Sequence, residues 1–84
     1  MRSMVISSVW CPSCLIMHPR YEELSKKYNL ELINYDYDVD TDVVNKYNIG
    51  DVLPVCIILK NEEVNRIIGE KSTKELNNII ESLM

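Results

Sequence analysis

The sequence predicts an α/β fold: a four-stranded mixed sheet with helices on both faces, in the order βαβαββα. Three observations carry this. A short run of β-formers at residues 4–8 leads directly into a helix-start signature at Cys11-Pro12-Ser13. A continuous apolar run at residues 55–59 has the character of a strand buried on both faces. Ser72 followed by Glu75 forms a capping box ahead of a last amphipathic stretch.

The elements follow in order. The first strand stops at Val9 and Trp10. Proline is favoured at the first helical position, where its missing N–H has no partner to lose, so Pro12 puts Cys11 at the helix start. From there Cys14, Met17, Tyr21, Leu24 and Tyr28 recur at spacings of three and four, the stripe of a helix facing a core. Pro19 lies inside this helix and is expected to kink it, because it removes one backbone bond and crowds the preceding turn. Residues 30–37, with β-branched and aromatic side chains in partial alternation, read as the second strand. Asp40 or Thr41 is placed to cap a short helix through Tyr47, with Val43, Val44 and Tyr47 inward. Gly50-Asp51 marks a loop and Asn61-Glu62 a turn, after which residues 64–68 return antiparallel to the third strand and Gly69 ends them. Leu76, Ile79, Ile80 and Leu83 form the inward stripe of the final helix. The first βαβ unit is a parallel crossover, and the closing hairpin adds two strands to the same sheet. No repeat or linker interrupts this order, so residues 1–84 are read as one domain.

Composition narrows the function. A chain of 84 residues holds only a thin core. The formal net charge is −4 and no Lys/Arg run stands out, which excludes the electrostatic footprint of a nucleic-acid binder. Asp36, Asp38, Asp40 and Asp42 alternate with other residues, but the central Gly and terminal Glu of a calcium loop are missing, so they read as a solvated strand end and helix start. The N-terminal stretch is a strand and not a secretion signal, and no segment approaches the roughly eighteen apolar residues that cross a bilayer. A soluble, cytoplasmic monomer without nucleic-acid or membrane partners is expected. Three cysteines in a short chain of this kind point to a reactive pair plus one spare, not to a structural disulfide framework.

Trp10-Cys11-Pro12-Ser13-Cys14 is the informative stretch. Two cysteines at this spacing, the first at a helix start, can close a disulfide across one turn. The partly positive helix terminus stabilises thiolate over thiol, which makes Cys11 the attacking sulfur. Cys14, one turn on, can resolve the mixed disulfide, and Trp10 is expected to pack as a lid beside the sulfurs. Zinc sites share the C-x-x-C spacing, but a strand before it and a helix after it in a βαβ unit favour redox chemistry. Cys56 in the apolar third strand reads as a buried small hydrophobe, with a third redox thiol as the alternative. His18 completes C-x-x-C-x-x-x-H; a fourth metal ligand is missing unless Cys56 or a second chain supplies it, and a surface helix residue is the plainer reading. Tyr35, Tyr37 and Tyr47 are packing residues, and Glu22-Glu23 with Lys26-Lys27 form a solvated face of i,i+4 pairs.

The chain resembles thioredoxins over almost its whole length, without that family's first strand and helix; this shortened core is also the glutaredoxin architecture. The matching residues are Trp10-Cys11-x-x-Cys14, Pro19, Asp38, Lys46-Tyr47-x-Ile49, Pro54, Leu59-Lys60-Asn61-x-Glu63-Val64 and Gly69. The resemblance implies a thioredoxin-like thiol–disulfide oxidoreductase that reduces protein disulfides. Cys11 and Cys14 would be catalytic, and Trp10, Val52, Leu53 and Pro54 would receive the substrate. It further implies a cis Leu53–Pro54 bond that exposes backbone groups of Val52 and Leu53 for strand-like pairing. No bound cofactor or metal is implied. The implied partners are disulfide-bearing client proteins and a thioredoxin-reductase-like electron donor, because the chain has no nucleotide-binding loop.

Three departures stand against this pattern. Pro12-Ser13 separates the cysteines in place of Gly-Pro or Pro-Tyr. Val5 stands where thioredoxins place a buried aspartate under the second cysteine, so the usual base for Cys14 is missing. A single Gly69 followed by Glu70-Lys71-Ser72 replaces the paired Gly and acid of a glutathione site. The alternatives are a glutathione-coupled glutaredoxin, a metal- or iron–sulfur-binding module using the same cysteines, and a redox-inert scaffold.

Overall fold

The computed structural model describes residues 2–83, and its elements follow the expected order. They are β1 (Arg2–Ser7), α1 (Pro12–Tyr28), β2 (Glu31–Asp36), α2 (Thr41–Lys46), β3 (Val55–Lys60), β4 (Glu63–Ile68) and α3 (Thr73–Leu83). The sheet order is β2-β1-β3-β4. Strand β1 runs parallel to β2 and antiparallel to β3, and β3 pairs antiparallel with β4, so the sheet is mixed.

Alternation along the central strands sorts the core into two halves. Val5, Cys56, Ile58 and Ile67 face α1 and α3, where Met17, Tyr21, Leu24, Leu76 and Ile80 cover them. Met4, Ile6, Val55 and Ile57 face the other side, against Val43, Val44 and Tyr47 around α2 and against Cys11, Cys14, Ile49 and Leu53. Both faces of the sheet are therefore covered, as the continuous apolar run of β3 requires.

Helix α1 runs from Pro12 to Tyr28 as one element with Pro19 inside it, and the buried stripe of Cys14, Met17, Tyr21 and Leu24 holds it on the sheet. The helices form for local reasons that the sequence states, with two departures. Asp40 occupies the cap position of α2 but makes no cap bond. Its carboxylate instead accepts the backbone N–H of Asp36 at 2.7 Å, tying the helix to the end of β2. The expected Glu–Lys pairs along α1 do not form: Glu22 pairs with His18, and Lys27 donates to Asn77 of α3. The α3 capping box is present, with Glu75 N–H donating to Ser72 Oγ and Ser72 N–H to the Glu75 carboxylate, both at 3.1 Å.

Left-handed backbone falls at Asn29, Asn48 and Asn61, with φ of 53°, 51° and 56°, and asparagine tolerates it better than other side chains. Gly69 has φ of 80°, and its N–H donates to the Pro54 carbonyl at 2.9 Å, which fixes the loop before β3 against the end of β4. Among the described residues no helix is long and apolar enough to cross a membrane.

One buried group runs against the rest of the core. The Tyr21 hydroxyl is buried without a hydrogen-bond partner, and burial raises its pKa. An unsatisfied buried polar group costs about 1–3 kcal/mol. Tyr21→Phe is therefore expected to raise stability by about 1 kcal/mol, whereas Ile80→Ala, truncating a fully buried side chain, should lower it by about 2–5 kcal/mol. Urea denaturation of the two variants checks this, and a destabilised Tyr21→Phe would show that the hydroxyl is satisfied.

Candidate active site

The two sulfurs meet where β1 ends and α1 begins. Cys11 is the N-cap of α1, with extended φ and ψ of −97° and 111°. Its Sγ accepts the backbone N–H of Cys14 at 3.3 Å, the role that a Ser, Thr or Asp oxygen usually fills at a helix start. The Cys11 sulfur thus sits at the positive end of the helix dipole. Pro12 follows at the first helical position, where no N–H is needed. On its other side the Cys11 thiol reaches the Leu53 carbonyl, 3.7 Å away, immediately before the cis Leu53–Pro54 bond. Both cysteines are free thiols and nearly out of solvent, each 6% exposed.

The predicted substrate-receiving residues divide into two groups. Trp10 and Val52 are exposed, while Leu53 and Pro54 are buried. The Leu53 carbonyl, expected as an open backbone group, accepts the Cys11 thiol at 3.7 Å. The Trp10 ring is anchored at the far end of β2: its Nε1–H donates to Asp38 Oδ2 at 2.8 Å and its edge meets Tyr37 at 89°. Ser8 donates to the same Asp38 oxygen at 3.2 Å and accepts the Trp10 backbone N–H at 3.4 Å. Asp38 and Ser8 therefore position Trp10, a role the sequence did not reveal because 28 residues separate Trp10 from Asp38. Glu70 was also missed; its carboxylate accepts the Ser13 hydroxyl of the motif at 3.2 Å.

Burial raises two of the three thiols. Burial, then the neighbouring Cys11, pushes the Cys14 thiol up to about 11, with the Ser8 backbone opposing in part. On the α1/α3 side of the sheet Val5 is packed with Met17, Tyr21 and Cys56. Cys56 lies on that opposite side, away from the Cys11–Cys14 cluster, and burial raises its thiol to about 12. It is the buried small hydrophobe of the plainer reading. His18 Nε2 lies 3.0 Å from Glu22 Oε1, and among the described residues no three His, Cys, Asp or Glu side chains gather as a metal site.

This architecture is the thioredoxin fold. The structure of thioredoxin 1 from Thermosipho africanus superposes with a TM-score of 0.84 over 99% of this chain and 94% of that one, at 21% identity. The reduced Schistosoma mansoni thioredoxin pre-protein does so with a TM-score of 0.85 over 99% and 78%, at 27% identity. The family model described as Thioredoxin matches residues 4–82, and the chain belongs to that family. Over 72 residues it is 33% identical to the H-type thioredoxin of Fagopyrum esculentum, covering 83% of this chain and 61% of the plant protein. The chain spans about half the length of the curated relatives it matches.

The raised thiols make stability pH-dependent in a definite direction. Cys14 and Cys56 titrate near 11 and 12 in the folded chain against 9.0 ordinarily, so between these limits the folded chain holds more protons than the unfolded one. Their contribution is complete below about pH 9 and is lost as the pH rises through 11 and 12. Each proton steepens the fall by at most about 1.4 kcal/mol per pH unit. Urea titrations of the reduced protein across this range should give a shallower decline for Cys56→Val than for the parent chain. Equal slopes would mean that Cys56 ionises in the folded state as readily as in the unfolded one.

Proposed function

We propose that the chain is a thiol–disulfide oxidoreductase that reduces protein disulfides through Cys11 and Cys14. The observation that carries this reading is the double setting of the Cys11 sulfur, which caps α1 and faces the Leu53 carbonyl beside the cis-Pro54 turn. Cys11 attacks a substrate disulfide, forms a mixed disulfide and releases the first substrate thiol. Cys14 then attacks Cys11, closing the Cys11–Cys14 bond and releasing the second thiol. Two electrons pass from the protein dithiol to the substrate.

Substrate chains dock against exposed Trp10 and Val52, next to the buried Leu53–Pro54 step. A separate reductase of the thioredoxin-reductase type returns the electrons, and no bound cofactor takes part. The natural setting is a reducing compartment such as the cytoplasm, where the dithiol is regenerated.

Insulin reduction driven by dithiothreitol tests the reading. The parent protein is expected to accelerate it and Cys11→Ser to abolish the acceleration. Cys14→Ser should accumulate a covalent mixed disulfide with insulin, visible on non-reducing electrophoresis. Full acceleration by Cys11→Ser would exclude the proposed chemistry.

A further inference from the structure

A cleft borders Cys14. It is lined by Ser7, Ser8, Val9, Cys14, Leu15, His18 and Asp36, and it offers about 200 Å³ of space open to solvent, room for several waters. Cys14 and His18 are four residues apart on α1, hence neighbours on one helix face, and both residues line this cleft. His18 is in turn four residues before Glu22, whose Oε1 lies 3.0 Å from His18 Nε2. Cysteine, imidazole and carboxylate therefore stand in one row along the helix. The carboxylate draws the ring proton to Nε2 and leaves Nδ1 as the acceptor.

We propose that His18, oriented by Glu22, takes the Cys14 proton through water in this cleft when the mixed disulfide is resolved. The inference rests on the dithiol exchange above and supplies the base that Val5 does not. The titratable groups facing the cleft are Cys14 and His18 from α1 and Asp36 from the end of β2. Asp36 is the rival acceptor, but its Oδ1 is committed to the backbone N–H groups of Asp38 and Val39, at 2.8 and 3.3 Å. His18 has no such engagement beyond Glu22, and its half-exposed ring can return the proton to bulk water.

The step balances. The Cys14 S–H bond breaks and the proton passes through water to His18. The thiolate attacks Cys11 Sγ, the Cys11–substrate S–S bond breaks, and the Cys11–Cys14 bond forms. The departing substrate sulfur leaves as thiolate with the electron pair and is protonated from solvent. In the reverse direction His18 returns the proton to Cys14.

Stopped-flow reaction with an aromatic disulfide such as 5,5′-dithiobis(2-nitrobenzoate) separates the steps, because attack by Cys11 releases one coloured thiolate and resolution by Cys14 the second. In His18→Ala resolution should slow about tenfold or more at neutral pH and recover when imidazole is added to the buffer. Glu22→Gln should slow resolution less. A parent-like resolution rate in His18→Ala, an impaired rate that imidazole does not restore, or a loss in Asp36→Asn in place of His18→Ala, overturns the role of His18 alone. Failure of Cys11 to release the first thiolate overturns the dithiol reading itself, and this inference with it.

Discussion

The Cys11 sulfur serves the helix and the chemistry with the same lone pairs. As the N-cap of α1 it accepts the Cys14 N–H, satisfying a donor that the first helical turn cannot. In the proposed exchange the same sulfur is the nucleophile, so capping and reactivity would draw on one electrostatic source: the unpaired N–H groups and dipole of the helix end. The rest of the site follows from this constraint. Strand β1 must stop just before the cap, Pro12 must occupy the position that needs no N–H, and the Leu53–Pro54 turn must approach the sulfur from the other side.

The sheet keeps two kinds of cysteine apart. Alternation places Cys56 with Val5 and Tyr21 on the α1/α3 side, while Cys11 and Cys14 lie with Val55 and Leu53 on the other. Burial without a charged partner turns Cys56 into packing material. Burial of Cys14 has a different consequence in the proposed exchange, because Cys14 borders an open cleft and its raised thiol would have to lose a proton to resolve the mixed disulfide. Val5 packs with Met17 and Tyr21 in the apolar layer on the α1/α3 side. The orphaned Tyr21 hydroxyl is a mark of how apolar that layer has become.

Much of this was legible in the residues themselves. Strand β1, the Cys11-Pro12 helix start, the stripe of α1, the buried strand β3 and the capping box of α3 each follow from local rules, and all lie close to where those rules put them. The parallel β1–β2 crossover and the antiparallel hairpin followed from element order. What stayed hidden depends on side chains brought together across the fold. The grip of Asp38 on Trp10, the contact of Glu70 with Ser13 and the turning of Lys27 to Asn77 join residues separated by 28, 57 and 50 positions, and no periodicity encodes them. Asp40 misled for a related reason: its carboxylate found the Asp36 N–H before the helix it was expected to cap.

The reduction potential of the Cys11–Cys14 pair tests the central claim most directly, followed by Trp10 fluorescence in defined thiol/disulfide buffers. A single two-electron transition is expected, with a tenfold change in the ratio for about every 30 mV and a midpoint between about −270 and −120 mV. It should disappear in Cys11→Ser. A parent chain that shows no two-electron transition would contradict the claim that these cysteines form a working dithiol couple.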